Sequence, residues 1–341
     1  MSALTARRNQ TLLEVNELTT EIKTVDGNVQ VLKDVTLSIK KGEIVAIVGE
    51  SGSGKSMTIH SILQLIPQEL LSSYKGTIHA FGKQLLHLSQ REMKAIRGKR
   101  VSLIAQNAMT SLDPSYTIGS QLVEVIRAKT SLLKKQARER ARDLLYEMGI
   151  EDPNQVYHAY AHQLSGGQRQ RAVIAMSLAC EPDLIIADEP TSALDPTVQL
   201  QVLELLQKIN REFGTAVLMI THDFGVVAKI ADKVAVMYAG QVVEQGVVSD
   251  VMFQPKHPYT QGLLACIPTL DWIFDKDKTK SMLHQIAGEP PNLAIPQQGC
   301  RFAPRCSKAE KNCFEVEPSM DIDQNTAIPH EARCILIKED K

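Results

Sequence analysis

The sequence predicts an α/β fold on a mostly parallel sheet, and three observations carry that reading. Short runs of consecutive apolar, often β-branched residues recur at Ile44-Val45-Ala46-Ile47-Val48, Leu184-Ile185-Ile186-Ala187 and Ala216-Val217-Leu218-Met219-Ile220. Strands buried on both faces have this texture. Helical patterns separate the runs, and the first run leads straight into a glycine-rich turn and a further helical pattern. Strand, loop and helix in that order build parallel α/β units.

Composition bounds the rest. The chain has 341 residues, enough for one large domain with an appendage or for two domains. It is 43% hydrophobic and 23% charged with a net charge of −1, an ordinary globular balance. A domain that wraps nucleic acid is usually strongly basic, so no nucleic-acid partner is expected. The apolar runs are strand-length, well short of the roughly 20 residues a membrane helix needs. No apolar segment follows Arg7 and Arg8, so no signal peptide is expected. The chain should stay in the cytoplasm and reach a membrane only through other subunits.

Along the chain, an N-terminal tail (1–11) precedes short alternating runs over residues 12–48. Leu13-Glu14-Val15 and Val35-Thr36-Leu37-Ser38-Ile39 read as strands, with Asp26-Gly27 as a turn. Residues 117–180 read as mainly helical, and the charged stretch 134–142 as a solvated helix face. Nine of the fifteen prolines lie from Pro255 onward. Residues 275–280 read as a charged linker, with a small C-terminal domain beyond.

The glycine-rich turn is Gly49-Glu50-Ser51-Gly52-Ser53-Gly54-Lys55-Ser56, a P-loop. Its glycines let the backbone curl so that several N–H groups face phosphate oxygens, and the following helix adds the positive end of its dipole. Lys55 is expected to reach the β- and γ-phosphates of ATP, and the Ser56 hydroxyl to ligate Mg²⁺. The second apolar run ends in Asp188-Glu189, at the carboxyl edge of the sheet where ligands of open α/β sheets bind. Asp188 is expected to hold the Mg²⁺ shell through water, and Glu189 to orient or deprotonate the attacking water. Taken alone, acids after a strand could equally cap a helix.

Leu164-Ser165-Gly166-Gly167-Gln168 precedes a helix-like run, a second anion-binding end. One chain needs a single such loop for its own nucleotide, so the second makes sense if it serves another subunit's ATP. On these residues the sequence resembles the ATP-binding-cassette (ABC) ATPases, whose hallmark is LSGGQ. The resemblance implies a P-loop NTPase core with an antiparallel β subdomain and a helical subdomain at about 107–180. It also implies head-to-tail pairing, with each ATP between one P-loop and the partner's LSGGQ loop. By the same resemblance Gln106 is the Q-loop glutamine at the Mg²⁺ site, Ser192-Ala193-Leu194-Asp195 the D-loop at the dimer seam, and His222 the switch histidine that contacts the γ-phosphate. A lone histidine after a strand is otherwise more often structural. Many members stack adenine on an aromatic residue before the first core strand; none stands between Lys23 and Lys33, and that role is unassigned.

Pro255-Lys256-His257-Pro258-Tyr259-Thr260-Gln261-Gly262-Leu263-Leu264, Gly288-Glu289-Pro290-Pro291 and Gly299-Cys300-Arg301-Phe302-Ala303-Pro304-Arg305-Cys306 resemble segments of oligopeptide and dipeptide importer ATPases. The resemblance spans roughly residues 12–320. It implies an ATPase domain at 12–254, an importer-type extension at 255–341, and a motor for uptake of di- and oligopeptides. The implied partners are a paralogous ATPase subunit, two transmembrane permease subunits and an extracellular solute-binding protein, with the chain peripheral on the cytoplasmic face of the inner membrane. Related importers carry nickel or other small solutes. Soluble ABC ATPases acting on DNA or ribosomes usually carry coiled-coil insertions, zinc hooks or two cassettes, and exporters often fuse membrane helices; none of these is visible in the sequence.

Cys300, Cys306, Cys313 and Cys334 have the spacing C-x5-C-x6-C-x20-C, without the short pairs of zinc ribbons. Four thiolates can hold a [4Fe–4S] cluster, and the peptide-importer group is similar here. Arg301 and Arg305 are expected to favour thiolate. Zinc, or four reduced cysteines without metal, are the alternatives. Cys180 and Cys266 read as ordinary buried residues.

Overall fold

A computed structural model describes residues 10–25, 27–192, 194–267, 285–323 and 329–339. Most of the N-terminal tail, Asp26 of the expected turn, Ala193 of the D-loop and the 275–280 linker lie outside the described residues.

Two long strands, β1 (Thr11–Thr24) and β2 (Gly27–Lys40), pair antiparallel from Thr24↔Gly27 to Thr11↔Lys40. Leu13, Val15 and Leu18 of β1 and Val35, Leu37 and Ile39 of β2 are buried, while Glu14 and Ser38 between them are exposed. Period-2 alternation of this kind gives a sheet one apolar face. The chain then enters β3 (Ile44–Val48), every residue of which is buried, and α1 (Lys55–Ile62). It returns as β4 (Leu71–Ala80) on the other side of β1, and β5 (Lys83–Gln84) completes a four-stranded sheet in the order β2-β1-β4-β5.

After α2 (Gln90–Ile96) and β6 (Val101–Ile104), five helices follow in succession. They are α3 (Ala108–Ser111), α4 (Ile118–Lys129), α5 (Lys134–Glu147), α6 (Pro153–His158) and α7 (Gly166–Leu178). In α5 only Ala137, Ala141, Leu144 and Leu145 are buried. That i, i+4, i+7, i+8 stripe lets a heavily charged segment pack by one face and leave most of its charges in water. Helices α4 to α7 share one apolar cluster with Ile185 and Ala187 of β7 (Leu184–Asp188) and Leu206 of α8 (Pro196–Phe213).

The chain closes through β8 (Ala216–Thr221), α9 (Phe224–Ile230), β9 (Lys233–Tyr238), β10 (Gln241–Val247), α10 (Val248–Phe253) and α11 (Pro258–Ala265). Strand β11 (Asp321–Asp323), preceded by α12 (Lys311–Glu315), and β12 (His330–Ala332) come last. The second sheet is eight-stranded in the order β11-β12-β10-β9-β3-β8-β7-β6, with β9-β3-β8-β7-β6 parallel. Among the described residues no helix is long and apolar enough to cross a membrane.

The C-terminal residues build onto this core. Strand β12 pairs with β10 at Glu244↔Ala332 and Gln245↔Glu331. Phe302 is buried with its ring centroid 5.2 Å from Tyr238 and 5.3 Å from Tyr259, inside the cluster that holds Val48 of β3 and Met219 of β8. Under β10, the fully buried carboxylate of Glu244 accepts from Lys256 N (2.8 Å), His257 N (2.9 Å) and, at 2.8 Å, pairs with His330 Nε2. One carboxylate thus satisfies two backbone donors and ties β12 to the preceding loop.

Candidate active site

The site forms at the carboxyl ends of β3, β7 and β8, neighbours in the parallel sheet. The turn after β3 requires its glycines. Gly49 has φ 154°, and a Cβ there would stand 2.2 Å from the Met237 carbonyl oxygen of β9. Gly54, the N-cap of α1, has φ 104°, in the left-handed region that side chains disfavour. Ser51, Gly52 and Ser56 are exposed, Glu50 and Gly54 half-buried, and Gly49, Ser53 and Lys55 buried.

Among the described residues, neither Lys55 nor Ser53 of the loop has an anionic partner. Lys55 Nζ donates to Gly49 O and Glu50 O, both at 2.8 Å, and among the described residues forms no ion pair. Burial pulls the Lys55 ammonium below its ordinary value, opposed by the charges of Glu189, Asp188 and Glu50. Among the described residues, buried Ser53 Oγ has no hydrogen-bond partner, and α1 has no side-chain cap. A buried cation, an orphan hydroxyl and an uncapped helix start together suit a polyphosphate.

Ser56 Oγ donates to Asp188 Oδ1 at 3.4 Å. Burial raises the Asp188 carboxyl above its ordinary value, with Glu189 adding to the shift and the Ser56 hydrogen bond and Lys55 opposing it. These oxygen donors fit Mg²⁺, which takes one or two protein oxygens and completes its shell with phosphate and water.

Glu189 is held from both sides. Gln106 Nε2 donates to Glu189 Oε2 at 3.0 Å, and His222 Nδ1 lies 3.4 Å from Glu189 Oε1. The Glu189 backbone sits at φ 45°, fixed by donation from its N–H to Ile220 O of β8 at 3.0 Å. Residues 106, 188, 189 and 222, apart in sequence, therefore share one edge with Lys55 and Ser56.

The second glycine loop lies elsewhere. Ser165 caps α7 in a reciprocal box: its side chain accepts from Gln168 N at 3.2 Å, and Gln168 Oε1 accepts from Ser165 N at 3.1 Å. Gly167 packs against α8, where a Cβ would lie 3.0 Å from Val198, and Gly166 faces Leu194. Among the described residues, 165–168 make no hydrogen bond to 49–56, and Ser165 and Gln168 are exposed. Asp195 caps α8, its Oδ1 accepting from Thr197 N and Val198 N, both at 3.1 Å.

Two site neighbours escape a reading by motif. Tyr259 OH accepts from Glu50 N at 3.0 Å, and Arg305 forks onto the Glu50 carboxylate at 2.7 and 3.1 Å. The available signal was Glu50 itself, an acid inside an anion-binding loop, which calls for a cation near it.

The iron–sulfur expectation is corrected. Among the described residues no group of three or more His, Cys, Asp or Glu is placed to hold a metal ion. Cys300, Cys306, Cys313 and Cys334 do line one cavity, but its volume is about 20 Å³, room for about one water molecule. Burial pushes Cys300 up to about 11 and raises Cys306 and Cys334 as well, which favours neutral thiols over ligating thiolates. The arginines expected to favour thiolate turn elsewhere: Arg301 donates to Ala239 O and Gln30, and Arg305 to Glu50. Cys180 and Cys266 are half-buried.

Residues 32–192 match the family described as ABC transporter, and residues 243–313 the oligopeptide/dipeptide transporter C-terminal region. The chain is 47% identical over 309 residues to the oligopeptide transport ATP-binding protein OppD of Bacillus subtilis, covering 91% of this chain and 85% of that one. It is 45% identical to the dipeptide transport ATP-binding protein DppD of the same organism, covering 95% and 94%. The probable D,D-dipeptide transport ATP-binding protein DdpD of Escherichia coli is also 45% identical, over 90% of this chain and 92% of that protein. Among solved structures, the dimeric post-hydrolysis state of the ATP-binding cassette MJ0796 bound to ADP and Pi superposes with a TM-score of 0.62 at 30% identity, covering 70% of this chain and 99% of that one.

Proposed function

Since the chain belongs to the ABC transporter ATPases, in their oligopeptide and dipeptide branch, we propose that it binds and hydrolyses ATP to drive import of di- and oligopeptides. The observation that carries the reading is the convergence of Lys55, Ser56, Gln106, Asp188, Glu189 and His222 on one edge of the parallel sheet. Phosphoryl transfer needs little covalent help from protein; it needs positioning and charge stabilisation.

In this reading the loop N–H groups of residues 49–56 and the Lys55 ammonium cradle the β- and γ-phosphates. Ser56 and Asp188, with Gln106 beside them, would hold Mg²⁺, which neutralises phosphate charge when bound. Glu189 takes the proton of the attacking water, held in place by Gln106 and His222, and His222 contacts the γ-phosphate. The exposed start of α7, residues 165–168, serves the ATP of a second subunit across a head-to-tail dimer, with Asp195 near the seam.

That second subunit is a paralogous ATPase, and the pair couples to two transmembrane permeases fed by an extracellular solute-binding protein. The chain is thereby peripheral, on the cytoplasmic face of the inner membrane. Residues 12–254 are the ATPase unit, with its helical part at about 107–180, and 255–341 the importer-type extension. Uptake of a labelled dipeptide tests the role in cells where a Lys55→Ala chain replaces the parent. ATP binding and uptake should fall together to background. Uptake at the parental rate would refute the motor role, and loss of nickel uptake with peptide uptake intact would move the cargo.

A further inference from the structure

An acidic side chain in a phosphate-binding loop is a liability. The Glu50 carboxylate lies near enough to Lys55 for its charge to act on that ammonium, and left unpaired it would repel a triphosphate or draw Lys55 away from it. The structure pairs it with a residue 255 positions further along the chain. Arg305 Nη1 donates to Glu50 Oε2 at 2.7 Å and Nη2 to Oε1 at 3.1 Å, the parallel two-bond geometry only arginine supplies. The Arg305 side chain is 5% exposed, lies over the Tyr238 ring with 5.6 Å to its centroid, and is further fixed by donation from Nε to Ala287 O at 3.0 Å.

The same C-terminal segment holds the loop's backbone. Fully buried Tyr259 accepts from Glu50 N, while the Glu50 carbonyl receives Lys55 Nζ. On the other flank Arg301 donates to Ala239 O, and the adjoining Gly240 N–H donates to Ser53 O at 2.8 Å. Residues from beyond position 254 thus fix both the charge and the path of the loop.

We propose that Arg305, with Tyr259, is a positioning residue for the phosphate-binding loop: it neutralises and orients Glu50, so that ATP affinity depends on the docked C-terminal segment. The inference rests on the ATP reading above and deepens it. A scaffold role alone would make loss of Arg305 harmful whatever stands at position 50. A neutralising role makes the harm depend on the Glu50 charge.

The test is a double-mutant comparison on the full chain, with binding of the non-hydrolysable analogue AMP-PNP and Mg²⁺ as the readout. Arg305→Met should raise the Kd about tenfold, with KM for ATP rising in parallel and kcat at saturation within about threefold, the signature of lost uniform binding. Adding Glu50→Gln should return the Kd to within about threefold of the parent. An unchanged Kd in Arg305→Met overturns the proposal, and so does a loss that Glu50→Gln fails to relieve. Should Arg305→Met not fold, Arg305→Lys keeps the charge without the fork; about threefold weakening, again relieved by Glu50→Gln, is then required. Failure of the parent chain to bind AMP-PNP overturns the ATP reading, and is recognised before any substitution is made.

Discussion

Replacing Glu189 by glutamine separates proton transfer from positioning. The carboxylate accepts from Gln106 Nε2 at 3.0 Å through one oxygen and faces His222 Nδ1 at 3.4 Å through the other. A glutamine of the same shape can turn its carbonyl oxygen to Gln106 and offer its amide N–H to the His222 nitrogen in the accepting tautomer. Neither neighbour is orphaned, and the backbone bond from Glu189 N to Ile220 O is untouched. What disappears is basicity, since a carboxamide does not take a proton from water.

General-base catalysis contributes about 10²–10⁴-fold, or about 3–5 kcal/mol of activation free energy. Glu189→Gln should therefore lower kcat by that factor while the Kd for ATP stays within about twofold. With binding intact and turnover blocked, the variant mixed with its proposed partner ATPase should also accumulate as an ATP-bound dimer on size exclusion. Phosphate release under saturating ATP and equilibrium nucleotide binding measure the two halves separately. A kcat above a tenth of the parental value would remove Glu189 from the proton-accepting role. Equal losses in binding and turnover would instead show that Glu189 holds the site together.

Two further expectations concern the C-terminal attachment. Glu244→Ala removes the acceptor of three donors, the half-buried Lys256 N and the buried His257 N and His330 Nε2. At about 1–3 kcal/mol for each unsatisfied group, with incomplete additivity, stability should drop by about 3–5 kcal/mol; urea unfolding with a loss below about 1 kcal/mol would contradict the network. Burial holds the His257 imidazole down at about 4 against an ordinary 6.5, with Glu244 opposing the shift and Arg333 reinforcing it. The unfolded chain therefore binds the extra proton between those values. The His257 contribution is complete above about pH 6.5 and is lost as pH falls toward 4, on the order of 3 kcal/mol in all. His257→Asn, which keeps an acceptor for Tyr259 N, should flatten the fall in melting temperature between pH 6.5 and 4.5; an unchanged slope would refute the assignment.

The parallel core was legible because its signal is local. Strands β3, β7 and β8 are short and buried on both faces, so their apolar runs are unbroken and their ends are marked by the residues that follow. The candidate site inherits that clarity, since Lys55, Asp188, Glu189 and His222 stand at or just after strand ends. The C-terminal region carries no comparable signal. Strands β11 and β12 are three residues each, too short for a period to show; β12 is placed by pairing with β10 and by the Glu244–His330 contact across 86 positions, and β11 by pairing with β12.

Proximity in sequence misled the reading of Arg301 and Arg305. Both stand beside cysteines, yet their guanidiniums end on Ala239 O and Glu50. A long, five-donor side chain takes its partner from the fold rather than from its neighbours in the chain. The partner could be sought from the other end: an acid in an anion-binding loop that persists in a folded protein implies a cation brought to it by tertiary structure. That argument starts from Glu50, a residue visible in the motif, and arrives at Arg305 without any local pattern around Arg305.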